Sequence, residues 1–233
     1  MTVEEFLDLF RKALDRVDSS YYGLLLSSTD MLEYARIGEK SLREILWDND
    51  SRKEEIKDLL DRYDERVFCY ELYHQVRASM DELNRQQLGS TDPFKFQGEL
   101  RKDIVGKVAL DYLKLKSLEK IFIPDFLLHS PRDGRSQGLI IEVKSAKNIS
   151  FNDLHDDLQK IESFIRYYKY QRGISLVINN PASRIKVFLR DPNNQKWIKE
   201  NLHNRSRILL ICKEHHRADL AEYNLGDLSS EWP

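Results

Sequence analysis

The chain has 233 residues, 37 of them Lys or Arg and 39 Asp or Glu, for a formal charge of −2. Its 41% hydrophobic and 33% charged content describes a soluble globular protein with one substantial domain, or a core with a small appendage. The charge balance does not advertise nucleic-acid binding, so any basic surface must be local. There is no repeat or low-complexity tract, and no apolar run approaches the ~20 residues of a membrane span.

The acidic start Met1-Thr2-Val3-Glu4-Glu5 lacks the basic segment of a signal peptide. Cys69 and Cys212 sit among apolar neighbours and read as buried free thiols rather than a disulfide. Both features lead us to expect a cytoplasmic protein with no membrane partner.

Phe6, Leu7, Phe10, Ala13, Leu14 and Val17 form a helical stripe, with Thr2 and Glu5 as its capping box. Asp18-Ser19-Ser20 breaks it, and residues 31–47 and 53–60 again favour helix. Residues 1–65 are expected to be an N-terminal helical appendage, a structural brace rather than a dimerising or substrate-gripping arm. A further helix is expected over residues 67–88. On it Glu71, His74 and Gln75 share a face by their i, i+3, i+4 spacing.

After the breaker Gly89-Ser90-Thr91-Asp92-Pro93, residues 94–99 alternate apolar and polar as an opening strand would. Residues 102–116 read as helix; Lys107, Lys114 and Lys116 are better read as its solvent face than as phosphate contacts.

The centre of the chain is residues 121–144. Two apolar runs, Ile121-Phe122-Ile123-Pro124-Asp125-Phe126-Leu127-Leu128-His129 and Leu139-Ile140-Ile141-Glu142-Val143-Lys144, flank a polar turn containing Asp133-Gly134. This predicts a β-hairpin. Strand alternation puts Glu142 and Lys144 on one face with Ile140, and Leu139, Ile141 and Val143 on the other. In the right register Asp125 approaches Glu142, so that two carboxylates and an ammonium meet. Burying such charges costs several kcal/mol each, very roughly, unless they pair or bind metal. Two converging carboxylates suit a hard cation such as Mg²⁺, and a nearby ammonium can orient a water or stabilise charge on a phosphate. The alternative is an ordinary ion pair at a sheet edge.

Pro124-Asp125 followed by Glu142-Val143-Lys144 resembles the signature of the PD-(D/E)XK nuclease superfamily. The resemblance spans about residues 67–212. It implies an α/β fold, a restriction-endonuclease-like mixed β-sheet core flanked by helices, here residues 66–233. It also implies hydrolysis of phosphodiester bonds with Mg²⁺ or Mn²⁺, of DNA more often than RNA, and antiviral defence as one setting. By analogy the metal positions are Asp125, Glu142 and Val143, and Lys144 serves the attacking water. The superfamily's acidic residue on the helix before the sheet would be Glu71, with Glu99 competing for that role. A solvated helix face explains Glu71 equally well.

The next segment opens with Ser150 and Asp153, a helix start. Leu154, Leu158, Ile161, Ile165 and Tyr168 are its buried stripe, ending near Gly173. Asp153, Asp157 and Lys160 fall on a different face. In the superfamily this helix often lends a polar residue to the site; Lys160 is the candidate and Gln159 the runner-up. A surface Asp157–Lys160 pair is the alternative.

Residues 174–178 read as a core strand, 193–202 as helix and 208–212 as the last buried strand. The alternation of strand and helix suits a sheet covered on both faces. Cys212, His215 and His216 lack the second cysteine pair of a zinc site. Arg132, Arg135 and Lys147 near the hairpin could grip a phosphate backbone. A homodimer or partner subunit is a further expectation. A non-catalytic nucleic-acid- or protein-binding module on the same fold is the second reading, and a metal-free structural subunit the third.

Overall fold

A computed structural model describes residues 1–22, 50–86, 94–98, 123–130, 137–146 and 149–227. Side chains of residues 50–64 and 86 fall outside the description. The expectations for residues 31–47, Glu99, Lys107, Lys114, Lys116, Arg132, Arg135 and Lys147 likewise lie outside the described residues.

The helices are α1 (Val3–Arg16), α2 (Asp50–Gln86), α3 (Phe151–Tyr168), α4 (Ala182–Arg190) and α5 (Pro192–Asn201). The strands are β1 (Lys95–Gly98), β2 (Phe126–His129), β3 (Gln137–Lys144), β4 (Arg172–Ile178), β5 (Ile208–Lys213) and β6 (Ala221–Asn224). All six join one mixed sheet in chain order. β3, β4 and β5 run parallel, while β1–β2, β2–β3 and β5–β6 are antiparallel. Parallel neighbours need long crossovers: α3 links β3 to β4, and α4 with α5 links β4 to β5. Both crossovers step the same way along the sheet, and their shared hand puts all three helices on one face.

Strand alternation divides the core in two. One face carries Phe96, Phe126, Leu128, Leu139, Ile141, Val143, Ile174, Leu176 and Ile178 against α1 and α2. The opposite face carries Leu127, Ile140, Val177, Leu210 and Cys212 against α3, α4 and α5. Among the described residues no helix is long and apolar enough to cross a membrane.

The expected caps form: Thr2 with Glu5 opens α1, and Ser150 with Asp153 opens α3. α3 ends at Lys169 in the left-handed region, φ 59°, four residues before the expected glycine. Gly173 lies inside β4 instead. A Cβ there would stand 2.0 Å from Ile161 Cγ2, so glycine is what lets α3 lie close on the strand. Residues 182–190 are helical, and β5 is followed by β6, which covers its outer edge.

Of the N-terminal region, α1 packs against the sheet. α1 buries Val3, Phe6, Leu7, Leu9, Phe10, Ala13 and Leu14, and the Phe6 ring lies 5.4 Å from that of Phe96 in β1. Fully burying a large apolar side chain stabilises by roughly 1.5–3 kcal/mol, so α1 belongs to the main core. Polar ties join it to three strands. Arg11 donates to both Glu222 carboxylate oxygens at 2.7 and 2.9 Å, Glu4 pairs with Arg172 at 2.8 Å, and Asp15 pairs with the buried Lys213 at 2.8 Å. α2, 37 residues long, runs straight through the boundary expected at residues 65 and 66.

Candidate functional site

The hairpin register sets the site. Phe126 stands opposite Ile141 and Leu127 opposite Ile140, so one further step places Asp125 beside Glu142. Asp125 is not in the strand but at a bend just before it. Its Oδ2 accepts a hydrogen bond from the Val143 backbone N–H at 2.7 Å, which pins the carboxylate at the carboxyl end of β3. Val143, expected at the metal, buries its side chain on the opposite face, towards α1 and α2.

Glu142 and Lys144 share the α3 face of the sheet, as alternation requires. Glu142 is 1% exposed. Its Oε2 accepts from Lys160 Nζ of α3 at 2.5 Å, and the same ammonium donates to the Ile123 carbonyl oxygen at 3.0 Å. Lys144 Nζ lies 3.5 Å from Asp157 Oδ1, again on α3. The anticipated surface pair of Asp157 with Lys160 does not form. Asp157 is buried, with 8% of its side chain exposed, and each helix residue pairs with a β3 partner. Gln159 is exposed, and its carbonyl oxygen accepts a bond from Ser163 Oγ.

The preceding helix brings a different carboxylate to this end of the sheet, Glu65, which sequence reasoning missed. Its Oε2 accepts from the Ser145 backbone N–H at 3.4 Å, just past the end of β3. Glu71 lies six residues further along α2, a rise of about 9 Å, and takes a 2.6 Å hydrogen bond from Gln75. His74, on the same stretch of helix, is exposed. A signal for Glu65 was present. Phe68, Leu72, Val76 and Met80 are the buried stripe of α2, and Glu65 precedes Phe68 by three residues on that inward face.

Four carboxylates (Glu65, Asp125, Glu142, Asp157) thus surround two ammoniums. Fully ionised, the group has an excess of two negative charges. Its electrostatics register burial first and that excess second. Burial, then the Asp125 charge, pushes the Glu142 carboxyl well up, against the pull of Lys160. Burial raises Asp157 to about 6 despite Lys144 and Lys160, and raises Glu65 to about 7 despite Lys144. For Lys144, burial alone would lower the ammonium, but Asp157, Glu65, Asp125 and Glu142 together hold it above its ordinary value.

Two buried carboxylate oxygens, Glu142 Oε1 and Asp157 Oδ2, have no hydrogen-bond partner among the described residues. Nor has Ser175 Oγ, on the β4 residue paired in register with Glu142. Orphaned carboxylate oxygens, in a group that carries two excess negative charges when fully ionised, are chemistry that a hard divalent cation satisfies, so the donor set fits one. Among the described residues, no three His, Cys, Asp or Glu side chains converge to hold a metal. That applies also to Cys212, His215 and His216. The Cys212 thiol, pushed up to about 12 by burial, donates to the Asn180 carbonyl oxygen at 3.1 Å.

Comparison with protein-family models, with curated proteins and with solved structures gives no match in any of the three.

Proposed function

We propose that this chain is a divalent-metal-dependent nuclease of the PD-(D/E)XK type, acting on DNA in preference to RNA. The observation that carries the reading is the convergence of Asp125, Glu142 and Lys144 at the carboxyl end of β3, with a buried Glu142 oxygen that has no partner among the described residues. The carboxyl ends of parallel strands are where open α/β sheets place their ligands. A six-stranded mixed sheet with helices on both faces is compatible with a restriction-endonuclease-like core. The preference for DNA rests on the motif's resemblance alone.

In this reading Asp125 and Glu142 hold the cation, and Glu65 and Asp157 complete the negative lining. A bound Mg²⁺ or Mn²⁺ supplies polarisation of a phosphoryl oxygen and a more acidic water. Lys144, held by Asp157, keeps its proton and stands ready to orient a water or to stabilise charge on the phosphate. Backbone contact of Asp125 with Val143 fixes one carboxylate before any ligand arrives, so less of the geometry has to be organised on binding.

The test incubates wild type, Asp125→Ala and Lys144→Ala with linear, circular and single-stranded DNA and with RNA, in Mg²⁺, Mn²⁺ or EDTA. Metal-dependent cutting that each substitution lowers by about 100-fold or more is the expected result. Binding without cutting, unaffected by EDTA and by Asp125→Ala, would replace the reading with a non-catalytic binding module. A third reading, a metal-free structural subunit, is favoured by the two closed pairs Glu142–Lys160 and Lys144–Asp157. It predicts that neither cation changes the melting temperature.

A further inference from the structure

Lys160 holds a position that an ordinary surface lysine would not. Its ammonium bridges a carboxylate that is 1% exposed and a backbone carbonyl oxygen, Glu142 Oε2 and Ile123 O. Both are hard oxygen donors of the kind a divalent cation takes. Ile123 is two residues from Asp125 in the chain, and Glu142 follows Asp125 in the strand register. The second oxygen of Glu142 is buried and unpartnered among the described residues.

We propose that the Lys160 ammonium is an internal counter-ion standing at the cation position, so that divalent-cation binding and the Lys160–Glu142 contact exclude one another. The inference rests on the metal-dependent reading above and adds a residue that sets its cation affinity. Two observations support it. The four carboxylates exceed the two ammoniums by two charges, so the cluster has capacity for a divalent cation without expelling any group from the molecule. The displaced ammonium has an acceptor within reach: Asp157 lies one helical turn back on α3, already feels Lys160, and has a buried oxygen with no partner among the described residues. With Lys160 moved to Asp157, two ammoniums and one divalent cation balance the four carboxylates.

The experiment measures Mn²⁺ binding directly, by the paramagnetic resonance signal of free Mn²⁺, for wild type, Lys160→Met and Lys160→Gln. The proteins are first stripped with EDTA, and thermal melting is followed alongside. Removing a positive charge a few ångströms from the cation is expected to tighten Mn²⁺ binding roughly tenfold or more in either variant. Without metal both variants should melt below wild type, because Glu142 loses its partner. With saturating Mn²⁺ each should gain more in melting temperature than wild type gains. Lys160→Gln, polar and close in length, serves if Lys160→Met does not fold. Equal or weaker Mn²⁺ binding by the variants, with wild type still binding, overturns this inference and leaves the nuclease reading standing. No Mn²⁺ binding by any of the proteins overturns both.

Discussion

Glu65 and Asp157 carry a pH signature that follows from where they are buried. The Glu65 carboxyl rises from an ordinary 4.5 to about 7, so between those values the folded protein holds a proton that the unfolded chain has released. Stability therefore falls as pH rises through that window and levels off above it. Each pH step of one across the window removes about 1.4 kcal/mol, so the whole loss is of order 3 kcal/mol at most. In EDTA, urea unfolding of Glu65→Gln should lack this fall, and the variant should overtake wild type by pH 7. Asp157, raised from 3.8 to about 6, adds a similar loss at slightly lower pH, which Asp157→Asn should remove. A pH-independent difference between wild type and Glu65→Gln would show that the carboxylate is not buried as described. Neither residue stood out from sequence, for separate reasons. Glu65 sits at what looked like a junction between two helices, and its inward direction is visible only once α2 is continuous. Asp157 lies three residues after Leu154 and four before Ile161, on the stripe itself, but its charge argued for the solvent face. The competing fact, a strand lysine waiting beneath it, is tertiary.

Among the elements, the β2–β3 pair and α3 were legible because their signals are local: alternation, capping residues and the spacing of Leu154, Leu158, Ile161 and Ile165. The end of α3 was not. Gly173 looks like a helix terminator, but Lys169 takes the left-handed turn and the glycine makes room for Ile161. Gly173→Ala should therefore destabilise through overpacking, by roughly 1–3 kcal/mol, without touching the charged cluster. Ile161→Leu, which removes the branch at Cβ, should recover part of that loss in the double variant. Calorimetric melting of the two single variants and the double checks the coupling.

At the scale of the molecule, the first helix is where expectation and structure differ most. The amphipathic pattern of α1 was plain, but nothing local says which surface the stripe will cover. It covers the sheet, with Phe6 and Phe10 fully buried, and its Arg11, Asp15 and Glu4 reach residues some 170 to 210 positions away in the chain. Phe10→Ala should cost about 3–5 kcal/mol. A chain lacking residues 1–17 should lose its cooperative urea transition rather than leave a folded core. A truncated protein that still unfolds in one sharp transition would show that the fold does not depend on α1.

The paired charges between β3 and α3 also have a meaning for how the chain finds its shape. Read from N- to C-terminus, the strand presents a negative then a positive residue, Glu142 and Lys144, and the helix does the same with Asp157 and Lys160. Opposite signs meet only if the helix comes back along the strand in the reverse direction, Lys160 over Glu142 and Asp157 over Lys144. A helix laid down the same way as the strand would set like against like. The four charges thus agree with the direction that the parallel pairing of β3 and β4 already requires of the crossover, and they would penalise the opposite one.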